Sequence, residues 1–245
     1  MSQTMTKRQL REQRRAERQA AERAQAAQAL RLKRLRRLAI AAGLAVAVLA
    51  VAISVSSNGD TTRSPAEAAA LFAGIPEHRG VLGDPSAPVT VTEYVDLQCP
   101  ICAEASRATL PGVVRDYVRT GKVKLQARTL HFIGPDSVRA ARVAAGAEQQ
   151  GRLWPFLEAF YAAQKAENSG YVTDGFLRSV ATASGVNAGE ALAYAGTAAA
   201  QKPLARASAD ASRLGINATP TFTVARGDGP PKVVTAAGLA AELAR

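Results

Sequence analysis

The sequence predicts an α/β domain split by an inserted helical block and preceded by one apolar span. Three observations carry that prediction. A β-branched run at 89–96 ends just before Cys99, and helical periodicity begins at Cys102. Residues 137–208 are almost wholly helical in character and lie between a second strand pattern and a closing hairpin pattern. Upstream, residues 38–55 carry no charge.

Residues 1–37 hold twelve Lys or Arg against three Glu, a net of +9 out of +11 for the whole chain. Ala, Gln, Arg and Glu favour helix, but the tract has little apolar surface to bury. It reads as a basic cytoplasmic arm, solvated or at a membrane surface, rather than a domain. The remainder is nearly neutral, so the basic composition does not argue for nucleic acid as a partner. The run at 38–55, LAIAAGLAVAVLAVAISV, meets the lower end of the length a transmembrane helix needs. Arg34, Arg36 and Arg37 precede it, which keeps the N-terminus cytoplasmic and sends the rest of the chain outside. A cleaved secretory signal is the alternative, with small residues at Ala52 and Ser54. The run exceeds the usual apolar core of about 7–15 residues in such signals, which favours an uncleaved single-pass anchor in the cell membrane. Both readings place the domain in an oxidising, extracytoplasmic space.

A linker at 56–75 follows, polar up to Pro65 and then Ala-rich, with a short helix expected near 66–72. The folded domain is expected at 76–245, long enough for one hydrophobic core. Pro and Gly at 83–88 make a turn. The strand at 89–96 comes next, and Pro100 suits the first turn of the helix after it, where a missing N–H does no harm. Pro111 should interrupt that helix near Thr109 or Leu110. A second strand alternates over 122–130. Helices are predicted at 140–150, 154–165, 174–184 and 188–209, the last with a break at Pro203. Strands at 221–225 and 232–235, joined by the Gly- and Pro-rich 227–231, precede a short helix at 239–243. Trp154, Phe156, Phe160, Tyr161 and Phe176 recur at helical spacing and read as packing.

The chain has only two cysteines, Cys99 and Cys102. A disulfide across two residues removes little unfolded-chain entropy, so the pair is better suited to opening and closing by thiol–disulfide exchange. Cys99 falls where a strand ends and a helix begins, and orphan N–H groups and the helix dipole stabilise an anion there. Cys99 is therefore the expected nucleophile, and Cys102, one turn later, the resolving thiol. A zinc site would need about four ligands, and only these thiols and the distant His78 and His131 exist. No metal or other cofactor is expected. His78 reads as a linker residue and His131 as a strand-end residue. Glu93, an acid in a predicted central strand, is costly to bury without a role or a partner. It is either a proton relay or a satisfied polar residue. Asp96 is nearer in sequence, but its place at the strand end fits an exposed turn residue equally well.

Three stretches carry a family resemblance. Gly80-Val81-Leu82-Gly83-Asp84-Pro85 with Ala87-Pro88-Val89-Thr90-Val91 resembles a first strand and turn. Glu93 through Cys102 resembles an active-site segment, and Gly215-Ile216-Asn217-Ala218-Thr219-Pro220-Thr221-Phe222 a second signature. Together they resemble the DsbA-like thiol–disulfide oxidoreductases, a thioredoxin fold with an inserted helical domain. The resemblance implies a cis-Pro220 facing the redox pair, with Thr219 presenting its backbone to an incoming peptide. It also implies a proton-transfer role for Glu93. Unfolded or reduced extracytoplasmic proteins are the implied substrates. The implied reoxidant is a quinone-linked membrane protein of the DsbB or vitamin-K-epoxide-reductase type, beside which an anchor in the lipid bilayer would hold the enzyme. Pro100-Ile101 lacks the histidine found between the cysteines of the best-known oxidase, so the preferred direction of electron flow stays open. Disulfide formation is the leading reading. Disulfide reduction or service to one dedicated client is the alternative, and a tethered binding module the non-enzymatic one.

Overall fold

A computed structural model of the chain describes residues 63–245. The basic arm at 1–37, the apolar run at 38–55 and the start of the linker lie outside the described residues. Among the described residues, no helix is long and apolar enough to cross a membrane.

The order of elements is α1 (Pro65–Ala69), β1 (Glu77–His78), β2 (Val81–Leu82), β3 (Val89–Asp96), α2 (Pro100–Ala108), α3 (Leu110–Val113), β4 (Val123–Leu130), α4 (Pro135–Gln149), α5 (Leu153–Ala162), α6 (Asp174–Ala183), α7 (Ala188–Ala195), α8 (Gln201–Arg213), β5 (Thr221–Arg226), β6 (Lys232–Val234) and α9 (Ala236–Leu243). The strands form one sheet in the order β1-β2-β4-β3-β5-β6. β3 runs parallel to β4, with Val89 opposite Val123 and Asp96 opposite Leu130, and antiparallel to β5, with Glu93 opposite Phe222.

β3 is buried along nearly its whole length because both faces of the sheet are covered. Alternation divides its side chains between two layers. Val91 and Val95 face the main core with Cys102, Leu157 and Tyr161. Tyr94 faces the other way, against Leu130 and the α8 residues Ala207 and Ala211. Glu93 has the parity of Val91 and Val95, which sends its carboxyl toward the layer that holds α2 and α5.

The helix after Cys99 stops at Thr109, two residues ahead of Pro111, and resumes as α3. Three other features depart from the sequence reading. α4 begins at Pro135 rather than 140, with proline in its first turn. The helix predicted at 188–209 is broken at Gly196 and Thr197, not at Pro203. Pro203 is the third residue of α8, in its first turn, where a missing N–H and a fixed φ do little harm, so it is tolerated. The two-residue strands β1 and β2, joined through Arg79 and Gly80 at positive φ, are too short for a periodicity to announce. His78 is an exposed residue of β1.

The helical block closes on itself and on the N-terminal segment. Gly146 in α4 lies so near α7 that an added Cβ would stand 2.7 Å from Ala191 Cα, so the crossing requires glycine. Phe160 meets Phe176 edge to face at 5.3 Å, and Tyr171 meets Phe176 at 4.9 Å. α1 carries a reciprocal Ser64–Glu67 capping box, and Phe72 just beyond it packs on Trp154 with ring centres 5.8 Å apart. Glu77 of β1 accepts from the backbone N–H groups of Leu153 (2.7 Å) and Trp154 (3.3 Å), so a residue of the sheet caps α5.

Candidate active site

Cys99 is the N-cap of α2. Its own N–H donates to the Asp96 carbonyl at 3.0 Å, closing the turn out of β3, and its sulfur accepts from the Cys102 N–H at 3.3 Å. Pro100 occupies the first helical position. Both cysteines are free thiols. Cys102 is fully buried and Cys99 almost so, while Ile101 between them is 59 % exposed. The Thr219–Pro220 peptide is cis. The Thr219 carbonyl accepts from the Cys99 thiol at 3.3 Å. The structure thus brings Cys99, Cys102, Thr219 and Pro220 to one place from the two ends of the domain sequence.

The two thiols are driven apart in acidity. Cys99 is lowered to about 6, chiefly by the Cys102 side-chain hydrogen bond and against the opposing effect of burial. Thr219 and the Cys102 and Ile101 backbones add to the lowering. Cys102 is pushed far up by burial first, then by its bond to Cys99 and by the Cys99 charge. Near neutral pH, Cys99 is the thiolate and Cys102 the thiol. A group held below its unfolded value contributes stability that is complete above the unfolded pKa and lost as pH falls through the folded one. Reduced protein should therefore gain stability over oxidised protein as pH rises from about 6 to about 8.5. The acidity difference is worth about 3 kcal/mol over that range. Screening by solvent at the exposed Ile101 beside it reduces this to about 1.5 kcal/mol. Urea midpoints of the two redox forms measure the gap, and the oxidised form cancels titrations common to both. A gap independent of pH contradicts a low thiol pKa.

Glu93 is buried, and desolvation, with the Glu158 charge second, raises its carboxyl to about 8. Glu158 on α5 is buried too and raised to about 7 by desolvation, opposed by a hydrogen bond from the Ser106 hydroxyl. Tyr161, also on α5, donates to the Asp96 carbonyl at 3.4 Å. Its phenol is raised by burial and then by the charges of Cys102, Glu93, Asp96 and Cys99, which marks how closely these groups gather. Asp96 is not an exposed turn residue. It is wholly buried, and its carboxylate accepts from Gln98 N–H (3.0 Å), Phe132 N–H (3.1 Å), Ile133 N–H (3.3 Å) and the Ser137 hydroxyl.

The inserted block also reaches the redox turn directly. The Gln164 side-chain amide donates to the carbonyls of Leu97 (2.8 Å) and Cys99 (3.2 Å). Buried Gln98 donates to the Tyr171 hydroxyl (2.9 Å) and accepts from the Asn168 N–H (2.9 Å). Neither glutamine had a sequence signal. Glu158 did, as the lone charge in the apolar run Leu153–Ala162. The aromatic residues read as packing are buried in the core, Phe176 only in part. His131 is half-buried with its Nδ1 unpartnered. A cavity of about 440 Å³ lined by Pro76, Glu77, Val81 and Lys124 contains neither cysteine. Among the described residues, no group of three or more His, Cys, Asp or Glu is placed to hold a metal ion.

A thiol at a strand–helix junction, a cis-proline loop against it and helices inserted between β4 and β5 define a thioredoxin-like fold of the DsbA type. The chain belongs to the thioredoxin family, whose family profile, described as Thioredoxin, matches residues 77–227. A Bacillus anthracis protein described as "Probable disulfide bond formation protein D" is 34% identical over 101 residues, 40% of this chain and 46% of that protein. The crystal structure of oxidised BdbD from Bacillus subtilis matches with a TM-score of 0.59 at 25% identity, covering 70% of this chain and 95% of that one. A thioredoxin-like oxidoreductase from Silicibacter pomeroyi matches with a TM-score of 0.54 at 28% identity, covering 72% and 95%. The chain spans about half the length of the curated relatives it matches.

Proposed function

We propose that this chain is a thiol–disulfide oxidoreductase that introduces disulfides into extracytoplasmic proteins. The observation that carries the reading is the place of the Cys99 sulfur at the N-terminus of α2, accepting from the Cys102 N–H and donating to the Thr219 carbonyl beside cis-Pro220, with Cys102 fully buried one turn later. In the proposed cycle a substrate thiolate attacks Cys99 of the Cys99–Cys102 disulfide, forming a mixed disulfide and expelling Cys102. A second substrate thiol then resolves it, leaving the substrate oxidised and the enzyme reduced. A stable Cys99 thiolate favours the reduced enzyme and so makes the disulfide form a strong oxidant. Thr219 and Pro220 face the peptide, and Glu93 serves as the proton donor and acceptor for Cys102.

Residues 1–37 would be a cytoplasmic arm and 38–55 a membrane anchor, with the expected linker at 56–75 leading into the expected catalytic domain at 76–245 and its helical insertion at about 137–208; the later part of that linker, residues 65–72, packs with the domain on α5. A DsbB-like or vitamin-K-epoxide-reductase-like membrane protein would reoxidise the pair. The description of the Bacillus anthracis relative as a disulfide bond formation protein supports this direction of electron flow. Equilibration of the full chain with glutathione tests it. A potential near about −120 mV is the expected result, and one near about −270 mV makes the protein a reductase. Glu93→Gln should slow the exchange steps that move a proton at Cys102 at least ~10-fold with the fold intact. A rate unchanged across pH removes Glu93 from the mechanism.

A further inference from the structure

Glu158 is the only charged side chain in α5, whose other residues are all apolar or aromatic, and it is 2 % exposed. A carboxyl in such a place is strongly disfavoured relative to an apolar side chain of similar size. Packing of α5 does not call for it. Its position suggests what does. The Ser106 hydroxyl that donates to Glu158 stands four residues after Cys102 on α2, on the same helix face. Tyr161 stands three residues after Glu158 on α5. Glu93 enters the same layer from β3. Cys102, Ser106, Glu93, Glu158 and Tyr161 therefore converge where α2, α5 and β3 meet. On the outer side, Glu158 lines a cavity of about 30 Å³ together with Arg63, Ser106, Arg107 and Tyr161, roomy enough for a water molecule. Glu158 thus borders a small cavity that the Arg63 and Arg107 side chains also line, and its charge reaches Glu93 in the same layer.

We propose that Glu158, held by Ser106, is the outer half of a two-carboxyl proton path that joins solvent to Cys102 through Glu93. The proposal rests on the exchange reading of Cys99 and Cys102. When a thiolate attacks Cys99 Sγ, a new S–S bond forms, the Cys99–Cys102 bond breaks, and its electron pair leaves on Cys102. The buried Cys102 sulfur takes a proton from the Glu93 carboxyl. Glu158 returns a proton to Glu93 and is itself reprotonated from the cavity. In the opposite half of the cycle each transfer runs backward. Glu158 acts through Glu93 and not on sulfur, so it is a positioning residue. The charged and titratable groups around it are Arg107 on α2, Arg63 ahead of α1, Glu93 on β3 and Tyr161 on its own helix. Two neighbouring carboxyls lose their protons in two coupled steps, the second made harder by the charge left by the first.

The test reduces the oxidised full-length chain with dithiothreitol from about pH 5.5 to about pH 9, reading each time point by acid quench, alkylation and mass spectrometry. With only two cysteines in the chain the readout is unambiguous. Rates are taken as the ratio of variant to wild type, which cancels the titration of dithiothreitol. Glu158→Gln removes the like charge beside Glu93, so the pH limb due to Glu93 should move down by about one pH unit. Glu158→Asp should restore it toward its original place. If Glu158→Gln does not fold, Ser106→Ala serves instead. It removes a hydrogen bond that lowers Glu158, so the lower step should move up. Ratios that stay flat with pH in the soluble variants overturn the proposal, because Glu158 is then uncoupled from the group that exchanges a proton with Cys102. A wild-type disulfide that dithiothreitol does not reduce is a different failure, one that removes the exchange reading itself.

Discussion

Replacing Cys99 by Ser is expected to lower the rate of thiol–disulfide exchange at least ~1000-fold near neutral pH, because no other group can take over its part. The only other thiol, Cys102, is fully buried and held protonated by desolvation. Cys102→Ser should behave differently. Its Cys99 retains the α2 N-terminus and a hydroxyl donor in place of the thiol, so it should still attack a disulfide such as oxidised glutathione. The mixed disulfide then persists, since nothing is positioned to resolve it. Cys102→Ala removes the donor altogether. The largest influence lowering Cys99 is the Cys102 side-chain hydrogen bond, so the alanine variant should show a Cys99 pKa above that of the serine variant. The pH dependence of alkylation by iodoacetamide measures both. Equal pKa values in the two variants would show that the helix terminus, not the neighbouring side chain, sets the acidity.

Local sequence signals reach only one side of that distinction. The place of Cys99 at a strand–helix junction was legible, because a β-branched run, a turn and a proline in the first helical position are local signals. The helix terminus was the stabiliser it suggested, and the Cys102 N–H does donate to the Cys99 sulfur. The part played by the Cys102 side chain depends on geometry that no spacing rule supplies. Thr219 and Pro220 were legible only as a motif, since 120 residues separate Thr219 from Cys99. Burial of Glu93 followed from its central strand, but its partner did not. Glu158 lies in a helix so uniformly apolar that the segment reads as core, and a single acid within it carries no direction.

The other misses share a cause. Short-range patterns report what a residue does for its own element, and the missed residues serve a different one. Glu77 caps α5 from β1. Gln164 satisfies carbonyls in the turn before α2. The 188–209 break lies at Gly196 and Thr197, where a Gly–Thr step ends one helix, while the more conspicuous Pro203 is absorbed in the first turn of the next. Asp96 looked like a turn residue because it is the last of its strand. Its side chain instead organises the opposite side of the same turn.

Asp96→Ala should therefore destabilise the protein by about 3–5 kcal/mol, more than any single substitution on the surface. Four donors depend on this carboxylate: the N–H groups of Gln98, Phe132 and Ile133 and the Ser137 hydroxyl. Each donor left buried without a partner costs about 1–3 kcal/mol, and water entering the vacated space recovers part of the total. The change is also spread over two connections. One is the turn from β3 into α2, and the other is the passage from β4 into the first turn of α4. Asp96→Asn should fall between, at about 2 kcal/mol, because one amide oxygen can still accept while the amide nitrogen opposes donors. Urea unfolding of the reduced protein at fixed pH supplies the test, with an unchanged m-value showing that the midpoint shift is a stability change. The same variants carry a second readout. Gln98 and Cys99 are anchored by the side chain and the carbonyl of Asp96, the latter at 3.0 Å from the Cys99 N–H. Loosening this turn should weaken the hydrogen bonds that favour the thiolate and raise the Cys99 pKa. A midpoint shift worth less than about 0.5 kcal/mol, with Cys99 acidity unchanged, would mean that Asp96 is incidental to the turn.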